Sequence, residues 1–154
     1  MREILFRGKR TDNGEWVEGR NIHIVKNESG KRMYIAQTDT PCGIFESEEH
    51  SGAFMSFPVF RVIPETVGQY TGLTDKNGKN GKKIFEGDIV KHFDNSNDDY
   101  DIGEIYFDTD FVGWRRTTTH KFHNKTLIST YKINPTCIYE VIGNIHDNPE
   151  LLKG

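Results

Sequence analysis

Leu127-Ile128-Ser129-Thr130-Tyr131-Lys132-Ile133 sets Leu127, Ser129, Tyr131 and Ile133 on one side of an extended chain, and Tyr139, Val141 and Ile145 keep the same two-residue beat. A period of two marks strands with one face buried. Ile22 and Ile24 alternate with polar neighbours in the same way in the first half. The composition agrees: Ala and Leu together occur 7 times, whereas Ile, Val, Phe, Tyr, Trp and Thr occur 54 times. Side chains branched at Cβ or carrying rings lose rotamer freedom on a helix and fit a pleated surface. The reading is an all-β protein of short antiparallel strands.

Turn signals punctuate the chain at Asp12-Asn13-Gly14, Glu28-Ser29-Gly30, Lys76-Asn77-Gly78 and Asn80-Gly81, as hairpin tips. A break is expected near Pro58 to Pro64, because proline cannot donate to a ladder. The segment 13–19 weakly echoes 80–87, too briefly to establish a repeat. From Ile84 onward the expected order is a strand to Phe93, an acidic loop, and a strand from Ile102 to Phe107. A turn at Asp108-Thr109-Asp110, a strand from Phe111 to Trp114, a basic loop, and strands over 126–133 and 137–145 follow. Alternation falters at Gly87, which predicts a bulge or sharp bend. Five short strands can close on themselves and remove exposed edges. This predicts an N-terminal β-rich subdomain over 1–65, a small SH3-like barrel over 66–147 and a short helical tail over 148–154, where Asn148 and Pro149 suit a helix start.

With 20 Lys and Arg against 23 Asp and Glu in 154 residues, a net charge of −3 excludes a generally basic nucleic-acid binder. A domain this long buries enough surface to need neither metal nor disulfide. Cys42 and Cys137 belong to no Cys-x-x-Cys pair and read as core thiols. No apolar run approaches the roughly 18 residues of a membrane span, and residues 1–7 are too short and charged for a signal peptide, so the expected location is cytoplasmic.

Charge is segregated late in the chain. Residues 94–110 carry seven acids and no base, whereas 113–125 carry Arg115, Arg116, Lys121 and Lys125 and no acid. On adjacent strands the two runs neutralise each other at a solvated surface, which contributes little per exposed pair. The functional alternative takes Trp114, Arg115, Arg116, His120, Lys121, Phe122, His123 and Lys125 as a basic patch with interleaved aromatics, suited to phosphates and unpaired bases. The acidic loop fails as a calcium site, since Asp99 stands where glycine is needed and Ile105 where a bidentate Glu is needed. His120 and His123 point to opposite faces of an extended chain and have no third ligand nearby in sequence. The run from Asp75 to Lys83 lacks phosphate-loop spacing. No nucleophile or metalloprotease signature occurs; Glu65, Glu86 and Asp88 are acids beside apolar segments, best read as turn caps or ion-pair partners. Phe54, Met55, Phe57, Val59 and Phe60 form the most apolar stretch, read as a core strand joining the halves ahead of an oligomer interface.

Several spaced motifs carry a resemblance: Arg7-Gly8-Lys9-Arg10; Asn13-Gly14-Glu15-Trp16-Val17-Glu18-Gly19; the run from Ile63-Pro64-Glu65-Thr66-Val67-Gly68 to Asp75; Ile84-Phe85-Glu86-Gly87-Asp88-Ile89-Val90; and Tyr139-Glu140-Val141-Ile142-Gly143-Asn144-Ile145 to Pro149. In that order, end to end, the chain resembles the YopX family of phage and prophage proteins. Stretches 41–52, 94–101 and 117–124 depart from that pattern. The resemblance implies a bacterial host and a β-rich, self-associating protein, and supplies no catalytic or ligand-binding residues. The resulting expectation is a non-enzymatic accessory protein, without cofactor, metal or identifiable small-molecule substrate. Its partners would be copies of itself or another phage or host protein, with nucleic acid as the alternative.

Overall fold

The computed structural model describes residues 2–37, 59–76, 81–93, 100–122 and 125–153, the side chains of residues 121, 122 and 125 excepted. The described residues form an all-β chain of antiparallel sheets, divided into two compact units, 1–69 and 70–154. Four sequence expectations fall outside the described residues: Cys42, the apolar residues Phe54, Met55 and Phe57, the tips at Asn77 to Asn80, and the loop acids Asp94, Asp98 and Asp99.

In the first unit, β1 (Phe6–Lys9) pairs with β2 (Trp16–Gly19) across the Asp12–Gly14 turn, and β4 (Gly30–Ala36) lies between β3 (Asn21–Asn27) and β5 (Val59–Val62). Gly30 takes φ 118° at the β3–β4 tip, a conformation open to glycine. Val17, Met33, Ile35 and Val62 form the core, with Phe6, Ile22, Phe60 and Val67 packed against them. Ile22 is thus covered, while Ile24 on the same alternation is 51% exposed. A single 3-10 turn, Pro64–Thr66, follows β5. Its Thr66 hydroxyl donates to the Ile63 carbonyl at 2.7 Å and accepts the Lys9 N–H at 2.9 Å, closing this end of the unit. Strand β6 (Gly68–Thr74) starts beside β1 and continues into the second unit, where it pairs with β7 (Lys83–Phe85).

The second unit holds β8 (Asp88–Phe93), β9 (Tyr100–Asp108), β10 (Gly113–Phe122), β11 (Lys125–Lys132) and β12 (Ile138–Asn144), in the order β11-β10-β9-β8-β12. The last strand thus returns beside the first. No ladder joins β11 to β12 among the described residues, so these two stand at the sheet's ends. Ile84, Val90, Ile105 and Tyr139 form the core, with Leu73, Trp114, Ile133, Val141 and the half-buried thiol of Cys137 against it.

Three expectations are corrected here. The run Ile84 to Phe93 is two strands, broken where Gly87 turns at φ 81° and Asp88 Oδ2 accepts the Phe85 N–H at 2.8 Å. The expected strand from Phe111 to Trp114 and the basic loop after it are instead a turn through Val112 followed by the ten-residue β10. Thr117, Thr118 and Thr119, branched at Cβ, suit that strand, and β11 supplies a partner for it from Arg115 to Phe122. The helical tail is one 3-10 turn, Pro149–Leu152, with no side-chain cap on its first residues.

Strand β9 serves two partners in succession: Tyr100 to Glu104 pair with β8, and Ile105 to Asp108 pair with β10. At the handover the Glu104 N–H donates to Thr117 Oγ1 at 3.0 Å. A Cβ on neighbouring Gly103 would collide with the Thr117 carbonyl, so glycine is needed for the close approach of the two backbones. Gly103→Ala is expected to cost about 3 kcal/mol in urea unfolding, as overpacking against unyielding backbone does. Gly113→Ala, whose Cβ would meet nothing nearer than 3.8 Å, should change stability by less than about 1 kcal/mol.

Candidate functional site

The expected basic patch lies on β10 and the β10–β11 hairpin, and strand geometry divides it. Trp114, Arg116, Thr118 and His120 share one face of β10, while Arg115, Thr117 and Thr119 share the other. Lys121 and Lys125 lie in the two strands with side chains outside the described residues, and His123 lies outside them altogether.

Arg115 is engaged on its face. Its guanidinium donates to Thr130 O at 3.2 Å and to Thr130 Oγ1 at 3.1 Å, lies 4.7 Å from the Phe111 ring centre, and places Nε 3.5 Å from Asp108 Oδ2. Arg116, 5% exposed, is engaged more deeply. It pairs with Asp101 and donates to Thr118 Oγ1. It also lies 5.0 Å from the Tyr131 ring centre, a cation–π contact. Its Nη2 stands 3.0 Å from His92 Nδ1. A guanidinium only donates, so this contact is a hydrogen bond in the tautomer whose Nδ1 carries no proton. Asp101 Oδ2 is 3.5 Å from the same Nδ1. Two residues of the acidic run, Asp101 and Asp108, are thus matched to two of the basic run, because β9 and β10 lie side by side.

His120 is half-buried on the Arg116 face. Trp114 packs on the core, edge-on to Phe107 with ring centres 5.1 Å apart, and its indole N–H is buried without an acceptor among the described residues. Tyr139 is buried beside His92, its hydroxyl accepting the Asn134 N–H at 2.9 Å; burial pushes that hydroxyl's pKa up. Burial also pushes the Glu104 carboxyl above its ordinary range, and Glu86 adds repulsion. Among the acids singled out from sequence, Asp88 is buried and caps the Phe85 N–H, and Glu65 stands in the first turn of a 3-10 segment. Sequence reasoning did not bring His92 and Asp101 together. Their neighbourhood depends on the pairing of β8 with β9, which no spacing along the chain encodes.

The edge of β11 turned away from β10, which has no partner strand among the described residues, is the other exposed feature. The Ile133 N–H donates to Trp114 O at 3.2 Å. Bonded pairs recur at every second residue of an antiparallel ladder, so Tyr131, Ser129 and Leu127 turn their backbone groups toward β10. Thr126, Ile128, Thr130 and Lys132 therefore turn theirs away, and the Arg115 bond to Thr130 O agrees. Leu127 is 56%, Ile128 64% and Tyr131 45% exposed. On the face whose two-residue beat predicts burial, Leu127 and Tyr131 are thus exposed while Ile133 packs on the core, and Ile128 lies on the opposite face.

A family model described as YopX protein matches residues 5–153. No curated protein matches the chain.

Arg116→Ala strands Asp101 beside His92 and is expected to lower stability by about 3 kcal/mol, the low end for breaking a buried ion pair, read as a fall in thermal midpoint. Glu104 gives a pH signature of opposite sign. A carboxyl whose folded pKa is raised favours folding below its unfolded pKa, and that contribution is lost as pH rises through the folded value. Glu104→Gln should therefore be more stable than the parent at pH 7, with the difference vanishing below about pH 4.

Proposed function

The chain belongs to the YopX family, and on that premise we propose that it is a phage-type accessory protein that works by binding and not by chemistry, first of all to a second copy of itself through the edge of β11. The carrying observation is an eight-residue strand at the end of its sheet with Leu127, Ile128 and Tyr131 in water. An edge of this kind is a template for another strand, and native proteins cover or charge it when no partner is intended. Lys125 and Lys132 bracket the strand but do not interrupt its apolar centre.

Hydrogen-bond parity supports a two-fold arrangement. Lys125 and Lys132 turn their backbone groups to opposite sides of β11, so an antiparallel copy cannot set them against each other. Leu127 and Ile128 can meet their counterparts instead. Association would pair the outward backbone groups of β11 and bring each exposed Leu127 or Ile128 against its counterpart. The same unit reads as an SH3-like small barrel, on the strength of a final strand lying beside the first and a central strand shared by two neighbours. The site of action under this reading is the cytoplasm of a bacterial host. Among the described residues no helix is long and apolar enough to cross a membrane.

Light scattering on a sizing column should give a mass that is a multiple of 17.8 kDa and that falls on dilution. Leu127→Lys with Ile128→Lys should return a folded monomer with an unchanged circular-dichroism spectrum. A parent protein that stays monomeric at its highest soluble concentration would refute self-association.

A further inference from the structure

Beyond self-association, we propose that His92 is the proton-sensing element of a switch within the second unit. Its imidazole accepts a hydrogen bond from Arg116 when Nδ1 is bare and donates one to Asp101 when Nδ1 is protonated, an exchange that loosens Arg116 against Tyr131 of β11.

Residues from all five strands of the sheet meet at this ring. His92 Nδ1 lies 3.0 Å from Arg116 Nη2 on β10 and 3.5 Å from Asp101 Oδ2 on β9. Tyr139, its cross-strand partner on β12, places its ring 5.4 Å away between centres. Tyr131 on β11 stands opposite Arg116 in the ladder, with its ring centre 5.0 Å from the guanidinium. The Thr118 hydroxyl accepts from Arg116 and donates to Asp101 Oδ1 at 3.4 Å. The charged and titratable groups that face His92 are thus Arg116, Asp101 and Tyr139. Lys91, Glu104 and Glu140 share the other face of the sheet. Asp88, on the His92 face of β8, is taken up in capping the Phe85 N–H, and His120 lies four residues beyond Arg116 on the same face of β10.

The two charge states of the ring call for different partners. A guanidinium carries five donors and no acceptor, so Arg116 Nη2 can bond Nδ1 only while that atom holds no proton. Once Nδ1 takes a proton from water, two donors confront each other across 3.0 Å and two cations repel. Asp101 Oδ2 then becomes the acceptor, reached by a movement of less than about 1 Å. The same carboxylate already serves Arg116, so the exchange divides it between two cations and leaves Nη2 without its acceptor. A donor left unsatisfied in a side chain only 5% exposed is costly, and the guanidinium shifts against the Tyr131 ring to relieve it. An imidazole is the side chain whose ordinary titration falls between about pH 5 and 8.

The test is a pH titration of the full chain followed by nuclear magnetic resonance. The His92 ring, the Arg116 Nε–H and the Tyr131 ring are expected to shift together, with one common midpoint between about pH 5 and 8. His92→Gln, which keeps an uncharged acceptor opposite Arg116, should remove that transition from the Arg116 and Tyr131 signals. Asp101→Asn should move it to lower pH, because the protonated ring loses its carboxylate. His120→Gln should leave it in place. The Leu127→Lys, Ile128→Lys variant should show it unchanged, since the exchange takes place within one copy, so a failure of self-association does not touch this result. The proposal is overturned if His92 titrates while Arg116 and Tyr131 stay still, if His92 shows no transition in this range, or if the transition persists in His92→Gln or vanishes in His120→Gln.

Discussion

The close crossing of β9 over β10 at Gly103 is the constraint on which the second unit depends. Backbone meets backbone there, because the Thr117 carbonyl occupies the space a side chain would need. The missing Cβ lets β9 leave β8 after Glu104 and join β10 at Ile105 without a break in the chain. One nine-residue strand thereby holds both neighbours, and the Thr117 hydroxyl accepts the Glu104 N–H at the change of partner. An unsatisfied buried amide at that point would cost as much as the hydrogen bond contributes elsewhere.

The electrostatics follow from that crossing. With β9 beside β10, the acidic and basic runs become facing surfaces. Asp108 answers Arg115 on one side of β10, and Asp101 answers Arg116 on the other. The buried guanidinium of Arg116 is tolerable because its donors find Asp101, Thr118 and His92, in keeping with the rule that buried charge must be paired and hydrogen-bonded. Residues that read as a nucleic-acid patch in sequence are therefore divided between two faces, with both arginines engaged within the unit. At the margins lie the outward edge of β11, without a partner strand among the described residues, and the strained turn at Val112.

Much of the architecture was legible beforehand, and the misreadings have physical causes. Excess of Cβ-branched and aromatic residues pointed to sheets throughout, and Asp12-Asn13-Gly14 and Glu28-Ser29-Gly30 did become turns. Gly87 marked a bend, although periodicity could not show that the strands on either side pair with different neighbours. The stretch from Arg115 to Phe122 looked like a loop because its charges and histidine break the apolar beat. Its threonines nonetheless favour a strand once β11 lies alongside. Leu127 and Tyr131 were misread in the opposite sense, since alternation identifies a strand face and says nothing about whether a second layer covers it.

The sequence by itself determined the secondary structure class, because side-chain shape acts on each residue's own backbone and needs no neighbour distant in the chain. Membership of the family was legible in the same way, through motifs strung along the chain. Only the tertiary structure decided which strands adjoin, that Arg115 and Arg116 are matched by acids, that His92 lies beside a buried cation, and that Leu127 and Ile128 stay in water. Those outcomes depend on where β9 changes partner. That point is set by a contact between residues 103 and 117, which no local preference at either position reveals.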